Sequence, residues 1–326
     1  MIRVPALHGD DPLGFLAAIG LLSLSEHQLL PDLRLSWSTS GSPIAQVEGS
    51  RSLEELAAQL DSAFEQVRAD GAPLPGGLPD FPPLKKGTAG SDPIRVLPKP
   101  MASHFKAAED AEGNTANPWP ARWLIGLATQ ISQRPKGDVE LTPFYAPTGQ
   151  MTLRSSILDA PQKGVQQLGG PSDALTGWQR VAFDGANYDH RAVRDGAIAT
   201  NGTAANRGAP SPTWLAVMGL SFFPMVDTPS GAKTVGWQRI RLYDGYTNRS
   251  IIWPIWSPPL DAASTRVLLA HQSLQLDGPR PLRRDSAFPV VSELRGLGVF
   301  SLFGSSRRTR SQGDGPLGPA VRVWPR

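Results

Sequence analysis

The sequence predicts an α+β protein in which short strands and buried, glycine-containing helices are joined by long Pro/Gly-rich loops. Three observations predict this class. Segments such as 33–40 (LRLSWSTS) alternate with the period of a strand, whereas 51–70 repeats with the period of a helix. Two nearly uncharged stretches share one pattern, FLAAIGL at 15–21 and WLAVMGL at 214–220. Proline (32) and glycine (33) make up about a fifth of the 326 residues, which implies many turns but not disorder.

The opening is expected to run as a short strand over 2–7 and a helix over 12–30. Pro12 to Leu24 is apolar but too short to span a membrane, which takes roughly 20 residues. Asp10 and Asp11 stand where a signal peptide would be basic, and no small-residue cleavage site follows. A buried helix capped by one of these acids, with Pro12 in its first turn, fits better. Its pattern returns at 214–220 after Pro212, with Ser211 or Thr213 as cap, and more weakly as RWLIGL at 122–127. The repetition reads as a chance recurrence of apolar helices with one glycine, as an internal duplication, or as two helices packing closely at a pseudo-symmetric centre.

Strands are expected at 33–40 and 43–50, followed by an amphipathic helix over 51–70 with Ser52 and Glu55 as a capping box. Residues 71–100 read as a proline-rich strap. Helices are expected at 104–113, 120–132, 151–159 and 260–274, and strands at 177–185, 235–245 and 250–256; the segment 138–160 is expected to start as a strand and turn at Pro147-Thr148-Gly149. The end of the chain reads as a basic tail. A single unit over 1–326 is expected; the alternative division is a lobe over 1–70, the strap, and a main lobe over 101–326. Charge is uneven. Residues 1–70 hold ten acids against four arginines, a balance of −6, whereas 280–326 hold nine arginines against three acids, a balance of +6. A basic end of this kind either meets phosphate or is a solvated arginine-rich tail.

There is no cysteine, which excludes disulfides, thiolate metal sites and a Cys nucleophile and fits a reducing compartment. None of the five histidines stands in a metal-ligand spacing. There is no G-x-S-x-G, no Walker-type phosphate loop, and no G-x-G-x-x-G after a predicted strand, so no cofactor or metal is expected. Asp184, Asn187 and Asp189 lack the register of a calcium loop. His190 with Asp189 and Asp195 forms a weak acid/base candidate. Phosphate contact is the better-supported chemistry. Tyr188, His190, Arg191 and Arg194 share one Gly/Asn-rich loop, and Trp237, Arg239, Arg241, Tyr243, Tyr246 and Arg249 fall within 13 residues. Arginine pairs with phosphate, and aromatic rings stack on unpaired bases. Arg307, Arg308 and Arg310 add an electrostatic arm. The 235–249 pattern also fits a strand whose arginines pair with carboxylates and whose Trp is core.

The opening PALHGDDPLGFLAAIGLLSL…LRLSW resembles the N-terminus of proteins encoded in type I-G (formerly I-U) CRISPR loci. TPFYAPTGQMTLRSSI (142–157) is similar to their aromatic-A-P-x-G-x-x-T-x-R segment. FDGANYDHRAVRDG…PSPTWLAVMGLSFFPM (183–225) is similar to their D-x-R loop and following helix. Each motif is soft, and their order along the chain carries the resemblance. It implies a small effector subunit, or the stand-alone form of a segment otherwise fused to the helicase–nuclease. Such a subunit is cytoplasmic, antiviral and without catalytic residues. Its partners are guide RNA, target DNA, other effector subunits or the helicase–nuclease, and no membrane. This reading expects Arg191, Arg194, Arg239 and Arg241 on one exposed positive face. Two alternatives remain: a protein–protein scaffold without nucleic-acid contact, and a metal-independent enzyme with a deep pocket in the 184–195 loop.

Overall fold

A computed structural model describes residues 1–69, 97–114, 123–133, 137–146, 157, 159–183, 187–191, 207–229, 231–240, 242, 248–275, 288–310 and 313–324. The expected strap and the expected helix over 151–159 lie largely outside them. The protein is α+β, with antiparallel pairing throughout the described strands. The chain opens with β1 (Ile2–His8), α1 (Pro12–Glu26), β2 (Arg34–Trp37), β3 (Ile44–Glu48), α2 (Leu53–Ala69) and α3 (Pro98–Asn114). It continues through the hairpin β4 (Ala128–Gln133) and β5 (Val139–Leu141), then α4 (Ala160–Leu168), α5 (Asp173–Thr176) and the short pair β6 (Val181–Ala182) and β7 (Arg207–Gly208). After α6 (Pro210–Met218) come the hairpin β8 (Met225–Thr228) and β9 (Gly231–Thr234), then β10 (Trp237–Ile240), β11 (Asn248–Trp256) and α7 (Ala262–Leu269). The last elements are α8 (Phe288–Gly296), β12 (Val299–Arg310), β13 (Gly313–Leu317) and β14 (Val321–Trp324). One sheet has the order β1-β3-β2. The larger has the order β10-β11-β12-β13, with β14 also on β12.

Helix α1 begins where the acids and the proline predict. The Asp11 carboxylate accepts from the N–H groups of Leu13 (2.9 Å) and Gly14 (3.1 Å), and Pro12 takes the first helical position. Every residue from Pro12 to Ser25 is buried, so α1 is a core helix, as its lack of charge requires. It crosses α6 at contact distance. A Cβ on Gly20 would lie 1.9 Å from the Leu215 carbonyl oxygen, and one on Gly219 would lie 3.0 Å from the Gly20 nitrogen. The weaker third copy joins the same crossing. A Cβ on Gly126 would sit 2.5 Å from the Leu220 carbonyl oxygen, and the Trp123 indole donates to the Val217 carbonyl at 3.1 Å. The glycines of all three similar stretches are therefore places where backbones touch. Ser23 and Arg266 fasten the far end: Ser23 Oγ donates to Met218 O at 2.8 Å, and Arg266 bonds both Ser221 O (2.5 Å) and Glu26 (2.6 Å) over the Phe222 ring.

Three expectations are corrected. Neither Ser211 nor Thr213 caps α6. Pro210 and Pro212 hold its first turn, and Thr213 Oγ1 bonds back to Ala209 O. Residues 120–132 do not form one helix: a single turn over 123–125 gives way at Gly126 to β4, where Thr129 Oγ1 accepts from Ser132 N. The basic tail is not a tail. Residues 299–310 are the long central strand of the larger sheet. Gly313–Gly318 spells G-x-G-x-x-G after that strand, but it runs as β13 toward β14 and opens no helix for a phosphate. By contrast, the capping box of α2 is present, with Ser52 Oγ accepting from Glu55 N and Glu55 from Arg51 N.

The two sheets meet through aromatic rings. Phe15 of α1 stacks on Trp37 (5.9 Å) and Trp253 (5.5 Å), and Trp256 meets both Phe15 and Trp37 edge-on. The Trp253 and Trp256 indoles donate to Gly9 O and Leu35 O at 2.7 and 2.8 Å. Pro254 is tolerated inside β11 for a geometric reason. The Ile252 N–H reaches Gly236 O, so residue 254 faces the same side, beyond the end of β10, where no N–H is needed.

Alanine in place of glycine steadies an exposed helix by about 1 kcal/mol. At Gly20 the sign should reverse. Gly20→Ala forces a methyl into the Leu215 backbone, and a loss of about 3 kcal/mol or more is expected in urea denaturation, at the upper end of overpacking costs. Gly177→Ala, where a Cβ meets open space, is the control and should change little.

Candidate nucleic-acid interface

The site is built around Arg307, which the sequence reading placed on a free arm. Its side chain is 5% exposed. The guanidinium donates to Phe144 O (2.6 Å), Asn187 O (2.7 Å), Pro143 O (3.2 Å) and Gly315 O (3.4 Å). It lies 5.8 Å from the Tyr188 ring centroid and 5.7 Å from that of Trp237, while Phe144 packs edge-on against both rings. A planar fork with five N–H groups suits this joint, because it serves carbonyls from three separate segments at once, one of which, Asn187 O, also accepts from the Leu317 N–H at 3.0 Å. Arg307, Tyr188 and Trp237 thus form a buried junction rather than a binding surface. Burial pushes the Tyr188 phenol above its ordinary range, with the charge of Arg307 acting weakly against it.

Two groups of sequence-named residues flank the junction. The first is the segment 187–191. Asn187 takes a left-handed backbone (φ 55°) and donates from its amide to Ala146 O at 2.6 Å. Asp189, 4% exposed, bonds Arg180 and accepts from the Arg191 N–H at 2.9 Å. His190 and Arg191 then reach the start of α1. Asp11 uses one carboxylate oxygen as cap and turns the other to Arg191 Nη2 (3.0 Å) and His190 Nδ1 (3.5 Å). Asp11 is 2% exposed, whereas the Arg191 side chain is 55% exposed. Desolvation holds the His190 pKa below its usual value, seconded by the charges of Arg191 and Arg308 and opposed by those of Asp11 and Asp189. Arg308 is itself exposed.

The second group lies on the face of the larger sheet. Arg239 on β10 pairs in register with Arg249 on β11. Carrying the Ser250–Ser306 register one step further sets Arg249 opposite Arg307. Three arginines from distant parts of the chain therefore form one cross-strand row. Like charges in register repel, and each of the inner two has relief: Arg307 in its carbonyls, Arg249 in Glu140 at 3.0 Å. Arg239 is exposed and pairs with no acid among the described residues. Arg249 and Trp237 thus follow the structural alternative weighed for this strand, an ion pair and a core ring. Arg194, Arg241, Tyr243, Tyr246 and the side chain of Arg310 lie outside the described residues.

Sequence reading missed Asp11 as an anchor, and with it Arg180, Trp178 and Glu140. Two successive acids before a proline were a signal, since a helix start uses only one cap. The pairing of Asp11 with residues 190 and 191 had none. A cleft of about 340 Å³ lies between the β8–β9 hairpin, β10 and residues 269–275, and Trp237 also lines it. No group of three or more potential metal ligands occurs among the described residues. No helix there is long and apolar enough to cross a membrane. No protein-family model and no curated protein matches the chain.

Two outcomes are expected. Arg307→Leu removes the donor of Phe144 O and Pro143 O, each buried unpaired carbonyl costing about 1–3 kcal/mol, while Asn187 O keeps the Leu317 N–H, so urea denaturation should show a loss of several kcal/mol, only partly restored by Arg307→Lys. His190 has a folded pKa below its unfolded 6.5, so the unfolded chain binds more protons in that window. Its contribution to stability is complete above pH 6.5 and is lost as the pH falls below it. Melting temperatures at about pH 7.5 and 5.5 should therefore differ more for the native protein than for His190→Gln.

Proposed function

We propose that this protein is a non-catalytic subunit of a type I-G CRISPR interference complex that contacts guide RNA or target DNA through backbone phosphates. The observation that carries the reading is the sorting of charge around the Arg307 junction. Asp11 and Asp189 are buried, while Arg191, Arg308, Arg239 and Arg249 reach solvent. Buried acids orient the arginines without cancelling the field outside, the arrangement a phosphate chain meets favourably. The order of the resembling motifs supports it as well. The GDDP turn, the PFYA segment and the NYDHR segment are far apart in sequence, and all three end at this one place.

In such complexes base pairing reads the sequence and protein holds the backbone. Binding should therefore be strongly salt-dependent. For single-stranded RNA, the slope of log K against log salt falls by about 0.7 for each phosphate contact removed. Arg239→Ala should weaken binding and lower the slope by about that amount, and Arg191→Ala and Arg249→Ala less, because Asp11 and Glu140 already hold those side chains. Fluorescence anisotropy across salt concentrations measures this. An unchanged slope in Arg239→Ala, or co-purification of partner proteins without nucleic acid at low salt, would overturn the reading in favour of a scaffold.

A further inference from the structure

One aromatic side chain stands out of the core beside the cationic group. Trp178 follows α5 in a segment whose Thr176, Gly177 and Gln179 are exposed. Its indole N–H is satisfied internally by Ala174 O at 3.2 Å, which fixes the ring. One part of the ring packs on the core and the rest remains in water. The guanidinium of Arg191 lies 5.9 Å from its centroid, and Arg191 is itself held by Asp11 at 3.0 Å. Two residues on, Arg180 is tied to the buried Asp189. The cluster thus presents an immobilised ring flanked by oriented cations, with its acids beneath.

We infer that Trp178 is a stacking platform for an unpaired base, so that this surface takes single-stranded rather than duplex nucleic acid. The inference rests on the nucleic-acid contact proposed above. A duplex hides the faces of its bases and has no use for a ring beside its phosphates, whereas a single strand offers a face at every nucleotide. Arg191 serves both halves of such a ligand, since a guanidinium pairs with phosphate and stacks with rings. An indole whose only polar atom is already bonded can contribute only its face, so the contact tolerates any base.

The test uses fluorescein-labelled RNA of about 12 nucleotides, free and as a duplex of equal length, at about 50 mM salt. Trp178→Ala should lose about 5- to 100-fold in affinity for the single strand and less than about twofold for the duplex. Trp178→Phe should keep most of the binding. Trp178→Leu, which keeps apolar bulk without a π-face, should lose it with an unchanged melting temperature. Equal losses on both ligands, or full binding by Trp178→Leu, would overturn the inference. If Arg191→Ala weakens binding and Trp178→Leu does not, the phosphate reading stands and the platform fails. If the native protein binds neither ligand, both fail.

Discussion

The fold depends on how closely α1 approaches α6. At Gly20 the two backbones leave no room for a single carbon, since a Cβ there would meet the Leu215 carbonyl oxygen at 1.9 Å. At that distance the rest of the arrangement is constrained. Residues 210–222 must lie along α1, the turn at 123–127 must close over them, and Arg266 must cap the end against Glu26 and Ser221. Close packing of this kind converts absent side chains into dispersion contact along the whole crossing, and it leaves little tolerance for added volume.

That crossing also sets where the candidate interface stands. It fixes the N-terminus of α1, and with it Asp11, which is shared between two tasks. One oxygen satisfies helix N–H groups that would otherwise be orphaned, and the other receives a segment arriving from nearly 180 residues later in the chain. The junction at Arg307 does the same between the larger sheet and residues 143–144 and 187. In both cases a charged group is buried not as half of an isolated ion pair but as an organiser of backbone. Several hydrogen bonds then offset its desolvation.

The arginines divide by what their neighbours supply. Arg307 meets carbonyls and sinks into the core. Arg249 meets Glu140 at the sheet margin. Arg239, in the same row, meets no acid among the described residues and faces water. Identical side chains within one row thus take three roles, because exposure and partners change across the width of a twisted sheet. A positive rim around a buried cationic junction results, and its electrostatics come from placement, since the net charge of the chain is only +3.

The sequence by itself determined the local structure. The cap and proline of α1, the Ser52/Glu55 box of α2, the pair of strands β2 and β3, and the burial of both uncharged helices follow from short-range rules that act over a few residues. The shared glycine pattern also announced close packing, because a glycine in an uncharged helix is seldom kept unless a backbone passes near it. Tertiary structure alone decided the rest. RRTR reads as a solvated tail because its charge is local, whereas its partners are distant in sequence: β11, Asn187 and Phe144 draw Arg307 inward, the last two from more than a hundred residues away. Residues 120–132 read as a helix because Trp, Leu and Ile suit one. The close packing of Gly126 on Leu220 and pairing with β5 made its end, from Ala128, a strand. Trp178 carries no motif, and the motif at Asp11 speaks only for its cap. What they do depends on which distant side chains the packing of α1, α5 and the 187–191 segment sets beside them, and no pattern along one chain encodes that distance.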